Sequence, residues 1–198
     1  MYDVSDLLYR GLSAQAPPFG RAAARHDPIN LALLASCTIF AAMETKILFV
    51  CLGNICRSPA ADGIMRHIVR ERGLGAEVAV DSAGTYAGHT GELPDARMRR
   101  AASRRGYELT HRARQIRVED FGKLDMIVVM DDRNYEHVHR LAPSRADAAR
   151  IFRMRELFSR QPGWDHVPDP YYEGAEGFEL VLDMLEDGCE GILAHLGK

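Results

Sequence analysis

The sequence has no long hydrophobic run, few cysteines and little excess charge, and each absence excludes a class of protein. The longest apolar run covers about residues 31–43 of the 198, which is too short to span a bilayer as a helix. Four scattered cysteines do not make the framework of a disulfide-stapled secreted fold. The net charge of −3 gives no support for a nucleic-acid-binding surface. We therefore expect a globular protein of a reducing compartment, with neither nucleic acid nor membrane as partner.

The first 42 residues differ in character from the rest of the chain. They are rich in Ala, Pro and Arg and show no clear periodicity, whereas Met43 begins the strand-like segment METKILFV. The apolar run resembles the core of a signal peptide, but about thirty residues, some of them acidic, precede it, where a signal peptide has a short basic region. We expect residues 1–42 to be a poorly ordered extension, natural or due to start-site choice, before one domain at 43–198. A cytoplasmic location is expected rather than secretion.

From Thr45 onward, strand-like and helix-like segments alternate. Short apolar runs predict strands at 46–51, 77–83, 124–130 and 150–154. Apolar residues at helical spacing predict helices at 58–72, 95–105, 133–141 and 176–196. Strands separated by helices indicate a parallel sheet in a doubly wound α/β fold, in which ligands bind at the carboxyl ends of the strands.

A loop at the end of the first predicted strand combines a thiol with a guanidinium. Cys51 and Arg57 are separated by five residues in the segment CLGNICRS, and a predicted helix follows. Such a loop is the right size to wrap one phosphate, because it aims backbone N–H groups and a helix N-terminus at the anion. Arg57 can donate two parallel hydrogen bonds to phosphate oxygens. The expected phosphate-binding residues are Leu52, Gly53, Asn54, Ile55, Cys56, Arg57 and Ser58.

The same loop predicts a nucleophile. An unperturbed cysteine is mostly a thiol at pH 7, and we expect the N–H groups, the helix N-terminus and Arg57 to favour the thiolate of Cys51. Attack of this sulfur on phosphorus would form a cysteinyl-phosphate and divide one difficult step into two easier ones. The hydroxyl of Ser58 can reach back to the sulfur.

A second segment, HVPDPYYEG at 166–174, supplies an acid. Asp169 lies between two prolines, which favour an extended, stiff backbone. A departing phenolate, whose conjugate acid has a pKa near 10, gains from a proton donor. We therefore expect Asp169 to act as general acid and then as general base for the water that clears the intermediate. Tyr171 and Tyr172 follow it and could flank an aryl substrate.

Together, CLGNICRSP and the later DPYY resemble the low-molecular-weight protein tyrosine phosphatases. The resemblance runs from about Lys46 to the C-terminus, and it includes the segments at 81–85, 111–115 and 130–131. It implies a flavodoxin-like fold with a central four-stranded parallel sheet, and hydrolysis of phosphotyrosine without metal or other cofactor. The expected partner is a tyrosine-phosphorylated protein or peptide, and we expect a monomer or a weak dimer.

The resemblance also assigns roles by motif position. It implies Cys51 as nucleophile, Arg57 as phosphate ligand and Asp169 as acid. It implies a hydrogen-bond network that supports the loop and consists of Asn54, Ser58, Ser82 and His111. It matches Cys56 with a second loop cysteine that forms a reversible disulfide with the nucleophile, which fits a reactive thiol beside a resolving thiol.

The substrate pocket is where the sequence departs from the family. The resemblance places Ile55, Tyr171 and Tyr172 around the pocket. The segment 85–92, TYAGHTGE, is short where the family often has a large aromatic residue on the pocket wall. Tyr86 is the candidate for that role.

Two related activities stay open as alternatives. Arsenate reductases use a similar loop but pass a disulfide along additional cysteines, whereas this chain has no cysteine between Cys56 and Cys189. Phosphoarginine phosphatases typically have threonine before the second loop cysteine, where this chain has Ile55. A non-catalytic phosphotyrosine-binding module would need neither Cys51 nor Asp169.

Other polar residues receive simpler interpretations. Cys189 lies on the apolar face of the last predicted helix and is expected in the core. Asp131 is expected to cap the helix that follows it rather than to take part in catalysis. Five arginines are expected on a solvated helix face, with attraction of acidic phosphopeptides as the alternative: Arg97, Arg99, Arg100, Arg104 and Arg105.

Overall fold

The computed structural model describes residues 44–160 and 163–198. The predictions for residues 1–42, including the signal-peptide alternative, lie outside the described residues. Within the described part, the strands are β1 (Thr45–Cys51), β2 (Val78–Gly84), β3 (Met126–Val129) and β4 (Ile151–Arg153). They form one parallel sheet with the order β2-β1-β3-β4. This confirms the predicted four-stranded, doubly wound α/β fold.

Four of the observed α-helices correspond to the four predicted helices. The α-helices are α1 (Arg57–Glu71), α2 (Ala96–Arg104), α3 (Asp132–Leu141), α4 (Arg145–Ala148) and α5 (Ala175–His195). Short 3-10 helices lie at Val118–Lys123, Met154–Leu157 and Pro170–Tyr172. The predicted strands and helices end within two residues of the observed ones. α4 and the 3-10 helices were not predicted, because a segment of one turn is too short to show a helical period.

β1 separates two layers of hydrophobic core. Ile47 and Phe49 point to the side on which α1 and α5 pack, whereas Leu48 and Val50 point to the side of Phe121 and α3. All four side chains are buried. A strand buried on both faces reads as an unbroken apolar run, which is why this strand was recognisable from its sequence.

Two glycines in α5 allow the chain before it to pack closely. A Cβ at Gly191 would lie 1.7 Å from the carbonyl oxygen of Leu157, and one at Gly188 would lie 2.3 Å from the Sδ of Met154. These glycines cost helix stability in isolation, but here they permit contact with the 3-10 helix that contains both residues. In the described part of the chain, no helix combines the length and apolarity that a membrane span requires.

The strand order brings the functional segments to one edge of the sheet. Cys51 at the end of β1 pairs with Gly84 at the end of β2, and Val50 pairs with Val129 at the end of β3. Because the strands are parallel, the segments that follow all three leave from the same edge. The order places the topological switch point between β1 and β3, where doubly wound sheets bind their ligands.

Candidate active site

The loop between β1 and α1 is built around the sulfur of Cys51. The Cys51 side chain is buried, and its Sγ accepts the N–H of Asn54 at 3.3 Å. The Oγ of Ser58 lies 3.0 Å from the same sulfur. α1 begins at Arg57 with no side-chain cap and no acidic residue in its first turn. Its first N–H groups therefore face the loop without a competing carboxylate from their own turn, which suits an anion.

Asn54 fixes the shape of this loop. Its backbone φ is +56°, in the left-handed region that few residues other than glycine adopt readily. Its buried amide group makes four hydrogen bonds. The Nδ2 donates to the Oγ atoms of Ser58 (2.9 Å) and Ser82 (3.0 Å), while the Oδ1 accepts from the backbone N–H of Arg114 (2.9 Å) and from His111 Nε2 (3.1 Å).

These contacts determine where the protons lie. The backbone N–H of Arg114 can only donate, so the amide of Asn54 cannot be flipped, and His111 must carry its proton on Nε2. Ser58 accepts a hydrogen from Asn54, which leaves its own hydroxyl hydrogen for either the carbonyl of Ala83 (3.1 Å) or the sulfur of Cys51. A thiolate at Cys51 would attract this hydrogen, so the network is able to stabilise the reactive form.

A second group of contacts supports the network from below. Asp81 accepts two hydrogen bonds from the guanidinium of Arg114, at 2.8 and 3.1 Å, and its Oδ1 lies 3.5 Å from His111 Nδ1. Burial lowers the pKa of His111, and Arg114 lowers it further, although the charge of Asp81 acts in the opposite direction. His111 is therefore neutral near pH 7 and still donates through Nε2.

Arg57 is almost fully buried and connects three segments. Its Nη1 donates to Asp131 Oδ2 at 2.7 Å and to the carbonyl of Val167 at 3.1 Å, and its Nη2 donates to Asp169 Oδ2 at 2.8 Å. Burial alone would lower the pKa of Arg57, but three nearby negative groups raise it overall: Cys51, Asp169 and Asp131. The guanidinium therefore stays charged, and its three hydrogen bonds fix its orientation.

The segment that carries Asp169 is fastened at both ends. At its start, the buried carboxylate of Asp187 accepts the backbone N–H groups of Ser159 and Arg160, each at 3.1 Å. Near its end, Val167 N–H donates to Met130 O at 2.9 Å. Asp169 itself has the extended backbone that its flanking prolines predicted and accepts from the N–H of Tyr171. Its carboxylate is 39% exposed, so it can turn from Arg57 toward a ligand.

These groups open into one cavity of about 270 Å³. Cys51, Arg57 and Asp169 line this cavity. The other lining residues are Leu52, Gly53, Ile55, Cys56, Tyr86, His89, Tyr171 and Tyr172. A larger, open depression of about 760 Å³ lies beside β2 and includes Lys46 and Asp120, and no cysteine lines it. The structure thus brings every residue that was predicted for catalysis or the pocket to the smaller cavity.

The ring of Tyr86 lies where a side chain at position 88 would otherwise lie, because residue 88 is glycine. A Cβ at Gly88 would lie 2.1 to 2.5 Å from the outer atoms of the Tyr86 ring. The ring also meets His89 edge-on, with 6.2 Å between ring centroids. His89 in turn lies against Gly53 and pairs with Glu92 at 2.8 Å. An aromatic wall is therefore present, and it is contributed by Tyr86 folding over Gly88.

Three features of the site were not predicted from the sequence. Asp131 caps α3 as expected, accepting from Asn134 N–H at 2.7 Å, but its second oxygen also pairs with Arg57. Asp131 follows a strand at the edge of the sheet where ligands bind, and this position could have indicated a role in the site. The backbone N–H of Arg114 and the side chain of His89 gave no such indication, because their roles depend on how loops fold against each other.

Comparisons with known proteins identify the family of this chain. The family model described as "Low molecular weight phosphotyrosine protein phosphatase" matches residues 46–198. The chain belongs to this family. It is 43% identical over 153 residues to a low molecular weight protein-tyrosine-phosphatase of Streptomyces coelicolor, covering 77% of this chain and 93% of that protein.

Solved structures show the same fold. A protein tyrosine phosphatase from Entamoeba histolytica superposes with a TM-score of 0.75 at 40% identity, covering 78% of this chain and 97% of that one. A Drosophila arginine phosphatase superposes with a TM-score of 0.72 at 31% identity, covering 78% and 99%. The family fold therefore hosts members named for different phosphoamino acids, and the substrate of this phosphatase has to be argued from its own cavity.

Proposed function

We propose that the protein hydrolyses phosphotyrosine in proteins or peptides through a cysteinyl-phosphate intermediate. One observation carries the proposal: a single cavity of about 270 Å³ joins a thiol, a buried arginine and a partly exposed carboxylate to exposed aromatic side chains. The membership of the family, whose model is named for phosphotyrosine, supports the same substrate.

In the first step, Arg57 and the loop N–H groups bind the phosphate oxygens. The sulfur of Cys51 lies at the base of the loop and attacks phosphorus opposite the phenolic oxygen. The S–P bond forms as the P–O bond breaks, and Asp169 gives its proton to the departing oxygen. Asp131 and the Val167 carbonyl keep the guanidinium in place when Asp169 turns away from it.

In the second step, water replaces the phenol product. Asp169, now a carboxylate, removes a proton from this water as its oxygen attacks phosphorus. The S–P bond breaks and the electrons return to sulfur, so inorganic phosphate leaves and the thiolate is restored. The hydrogen bond from Ser58 stabilises Cys51 as the leaving group, as it did the nucleophile.

The cavity walls favour an aryl substrate over a guanidino substrate. Ile55 is an apolar residue on the wall and offers no hydroxyl to a phosphoguanidino group. Tyr86, Tyr171 and Tyr172 add aromatic surface, and they are 58, 39 and 92% exposed. Exposed aromatic surface at a pocket mouth suits contact with a phenyl ring. Phosphoarginine is therefore the weaker candidate.

We also propose a redox role for Cys56. Burial raises the pKa of the Cys56 thiol, as do Asp95 and Cys51, so Cys56 stays protonated while Cys51 reacts. Hydrogen peroxide would oxidise the Cys51 thiolate to a sulfenic acid and release hydroxide. The Cys56 thiol would then attack that sulfur, and a disulfide would form with loss of one water molecule. Two thiols that line the same cavity support this pairing.

The remaining expectations form part of the same proposal. Residues 43–198 are proposed to form the phosphatase domain, since the family match spans 46–198. The protein is proposed to act as a monomer or a weak dimer. A reactive thiolate is compatible with a reducing, cytoplasmic location.

The test is the replacement Cys51→Ser, assayed with p-nitrophenyl phosphate and with a phosphotyrosine peptide. A serine hydroxyl is a far weaker nucleophile here, so the variant should lose at least about 10³-fold in kcat on both substrates. Rapid acid quench of the parent enzyme with ³²P-labelled substrate should trap labelled protein, and the variant should show none. Equal activity of variant and parent would refute the cysteine mechanism, and Cys189→Ser is the control because Cys189 is buried away from the cavity.

A further inference from the structure

α2 begins directly beside the active-site loop. The backbone N–H of Asp95, its capping residue, donates to the carbonyl of Ile55 at 2.8 Å. Three arginines then follow on one face of the helix, at i, i+3 and i+7: Arg97, Arg100 and Arg104. They line a depression of about 200 Å³ next to Phe178 and the start of α5. We call these three residues the arginine strip.

The strip is continuous with the wall of the active-site cavity. The guanidinium carbon of Arg97 lies 5.2 Å from the centroid of the Tyr171 ring, and Tyr171 lines the cavity. Asp95 fixes Arg97 in this position with a 2.8 Å ion pair. A peptide that leaves the cavity over Tyr171 therefore meets the strip next.

The arginines at both ends of α2 have acidic partners: Arg97 pairs with Asp95 at the start, and Arg104 and Arg105 have partners at the end. Arg105, just after the helix, pairs with three carboxylates of α5: Glu179, Asp183 and Glu186. Arg104 shares Glu179 with it. These contacts attach α2 to α5 and explain those arginines structurally.

Arg100 has no such explanation. It is exposed, and no carboxylate lies within ion-pair distance of it in residues 44–160 and 163–198. One acid, Glu173, borders the depression against the three arginines. Arg97 and Arg104 already have acidic partners, so Arg100 is the member of the strip that remains available to an acidic ligand.

We propose that the arginine strip binds acidic side chains that flank phosphotyrosine in the substrate, with Arg100 as their main partner. The inference rests on the proposed function and adds a substrate class to it. An extended peptide advances about 3.3 Å per residue, and neighbouring positions on one helix face are about 5–6 Å apart. An acidic residue two to four positions from phosphotyrosine therefore reaches the strip once the peptide has crossed Tyr171.

The test compares kcat/KM for matched phosphotyrosine peptides that differ only at these flanking positions. One set carries Glu, Gln or Lys on the amino side of phosphotyrosine, and a second set carries them on the carboxyl side. The parent should prefer Glu over Gln, and Gln over Lys, by about two- to fivefold per step in at least one set, the range expected for exposed ion pairs. The preference should shrink in 0.5 M salt because exposed pairs are screened.

Variants that remove or reverse the charge of Arg100 provide the decisive comparison. Arg100→Gln should remove most of the preference, and Arg100→Glu should reverse it in favour of the Lys peptide. Both variants should keep the parent's activity on p-nitrophenyl phosphate, which cannot reach the strip. Arg145→Glu is the matched control, since Arg145 is exposed on α4, lines neither the cavity nor the depression, and its replacement changes the net charge equally.

The outcomes separate this inference from the proposed function. Equal kcat/KM on all three peptides of both sets, with hydrolysis intact, would overturn the inference alone. So would an unchanged preference in Arg100→Glu, or the same reversal in Arg145→Glu. Failure of the parent to hydrolyse p-nitrophenyl phosphate and every peptide would overturn the proposed function, and the inference with it.

Discussion

The active-site loop and the rim of its cavity are built in opposite ways. The loop, residues 51–58, is largely buried, and its central side chain, Asn54, uses its whole amide in internal hydrogen bonds. The rim, which consists of Tyr86, His89, Asp169, Tyr171 and Tyr172, is partly or largely exposed and comes from two separate segments. Phosphate is therefore met by groups fixed in advance, whereas the rest of the substrate is met by side chains that can adjust.

The difference has a physical basis. A phosphate has the same size and charge in every substrate, so preorganised donors lose little by being rigid and avoid reorganisation during the reaction. The group attached to the phosphate varies, and aromatic side chains at a rim give sequence-tolerant contact area. We expect changes in the loop to reduce turnover of all substrates, and changes in the rim to alter the ratio between substrates.

The largest effect that would sharpen this comparison is expected at Asp169. Asp169→Asn removes the acid, so kcat/KM should fall by about 10²- to 10⁴-fold for a phosphotyrosine peptide. The loss should be smaller for p-nitrophenyl phosphate, because p-nitrophenolate leaves without help. The measurement is kcat/KM over a series of aryl phosphates with leaving groups of different pKa.

Asp131→Asn is the matched control for Asp169, since each carboxylate pairs with Arg57. It should lower kcat/KM by a similar factor for every leaving group. A uniform loss in Asp169→Asn as well would show that Asp169 acts only by holding Arg57.

The next effect concerns the loop. Asn54→Gly keeps access to the positive φ but removes four hydrogen bonds, so we expect the free energy of unfolding to drop by about 2–4 kcal/mol. The value of kcat/KM should fall by about ten- to a hundredfold on every aryl phosphate, because the loop N–H groups lose their fixed direction. Chemical denaturation and steady-state kinetics measure the two quantities.

Asn54→Ala separates backbone from side chain at the same position. Alanine should lose about 1–2 kcal/mol more than glycine, because its Cβ disfavours the left-handed backbone. If Asn54→Gly kept full activity, the network would be dispensable and the loop would not need preorganisation.

The fold and the loop could be predicted from the sequence for the same reason. The apolar run of β1 and the segment that follows it are contiguous, so their geometry is encoded locally. Cys51, Arg57 and Ser58 needed only a strand, a five-residue gap and a helix start to be placed. The predicted partners Ser82 and His111 lie on other segments, and they were assigned by resemblance to a family rather than by local pattern.

The rim could be predicted only in part. Tyr86 was a candidate, but its position depends on Gly88 having no side chain, and that is a contact between residues of one irregular loop. His89 and the second role of Asp131 depend on long-range packing of such loops. A sequence without regular periodicity gives no register from which these contacts can be derived.

A smaller effect tests whether Tyr86 forms the wall. Tyr86→Ala should raise KM for phosphotyrosine peptides by about three- to tenfold, the value of one aromatic contact, with little change in kcat. Gly88→Ala should also raise KM for these peptides, although Tyr86 itself is unchanged, because the new Cβ would displace the Tyr86 ring. The double variant should be no worse than Tyr86→Ala alone, since both changes remove one contact. Additive effects, or a KM in Gly88→Ala equal to that of the parent, would show that the ring is not part of the wall.

The smallest effect tests the loop through pH. Because burial lowers the folded-state pKa of His111 below that of the unfolded chain, the unfolded state takes up a proton first as the pH falls. This contribution to stability is complete above about pH 6.5 and is lost as the pH falls through the folded-state value. His111→Gln can still donate to Asn54 but does not titrate, so its free energy of unfolding should fall less between pH 7 and pH 5 than that of the parent. An equal slope in His111→Gln would mean that the histidine under the loop titrates as freely as one in solvent, and the contrast between a fixed loop and an adjustable rim would then not extend to this part of the network.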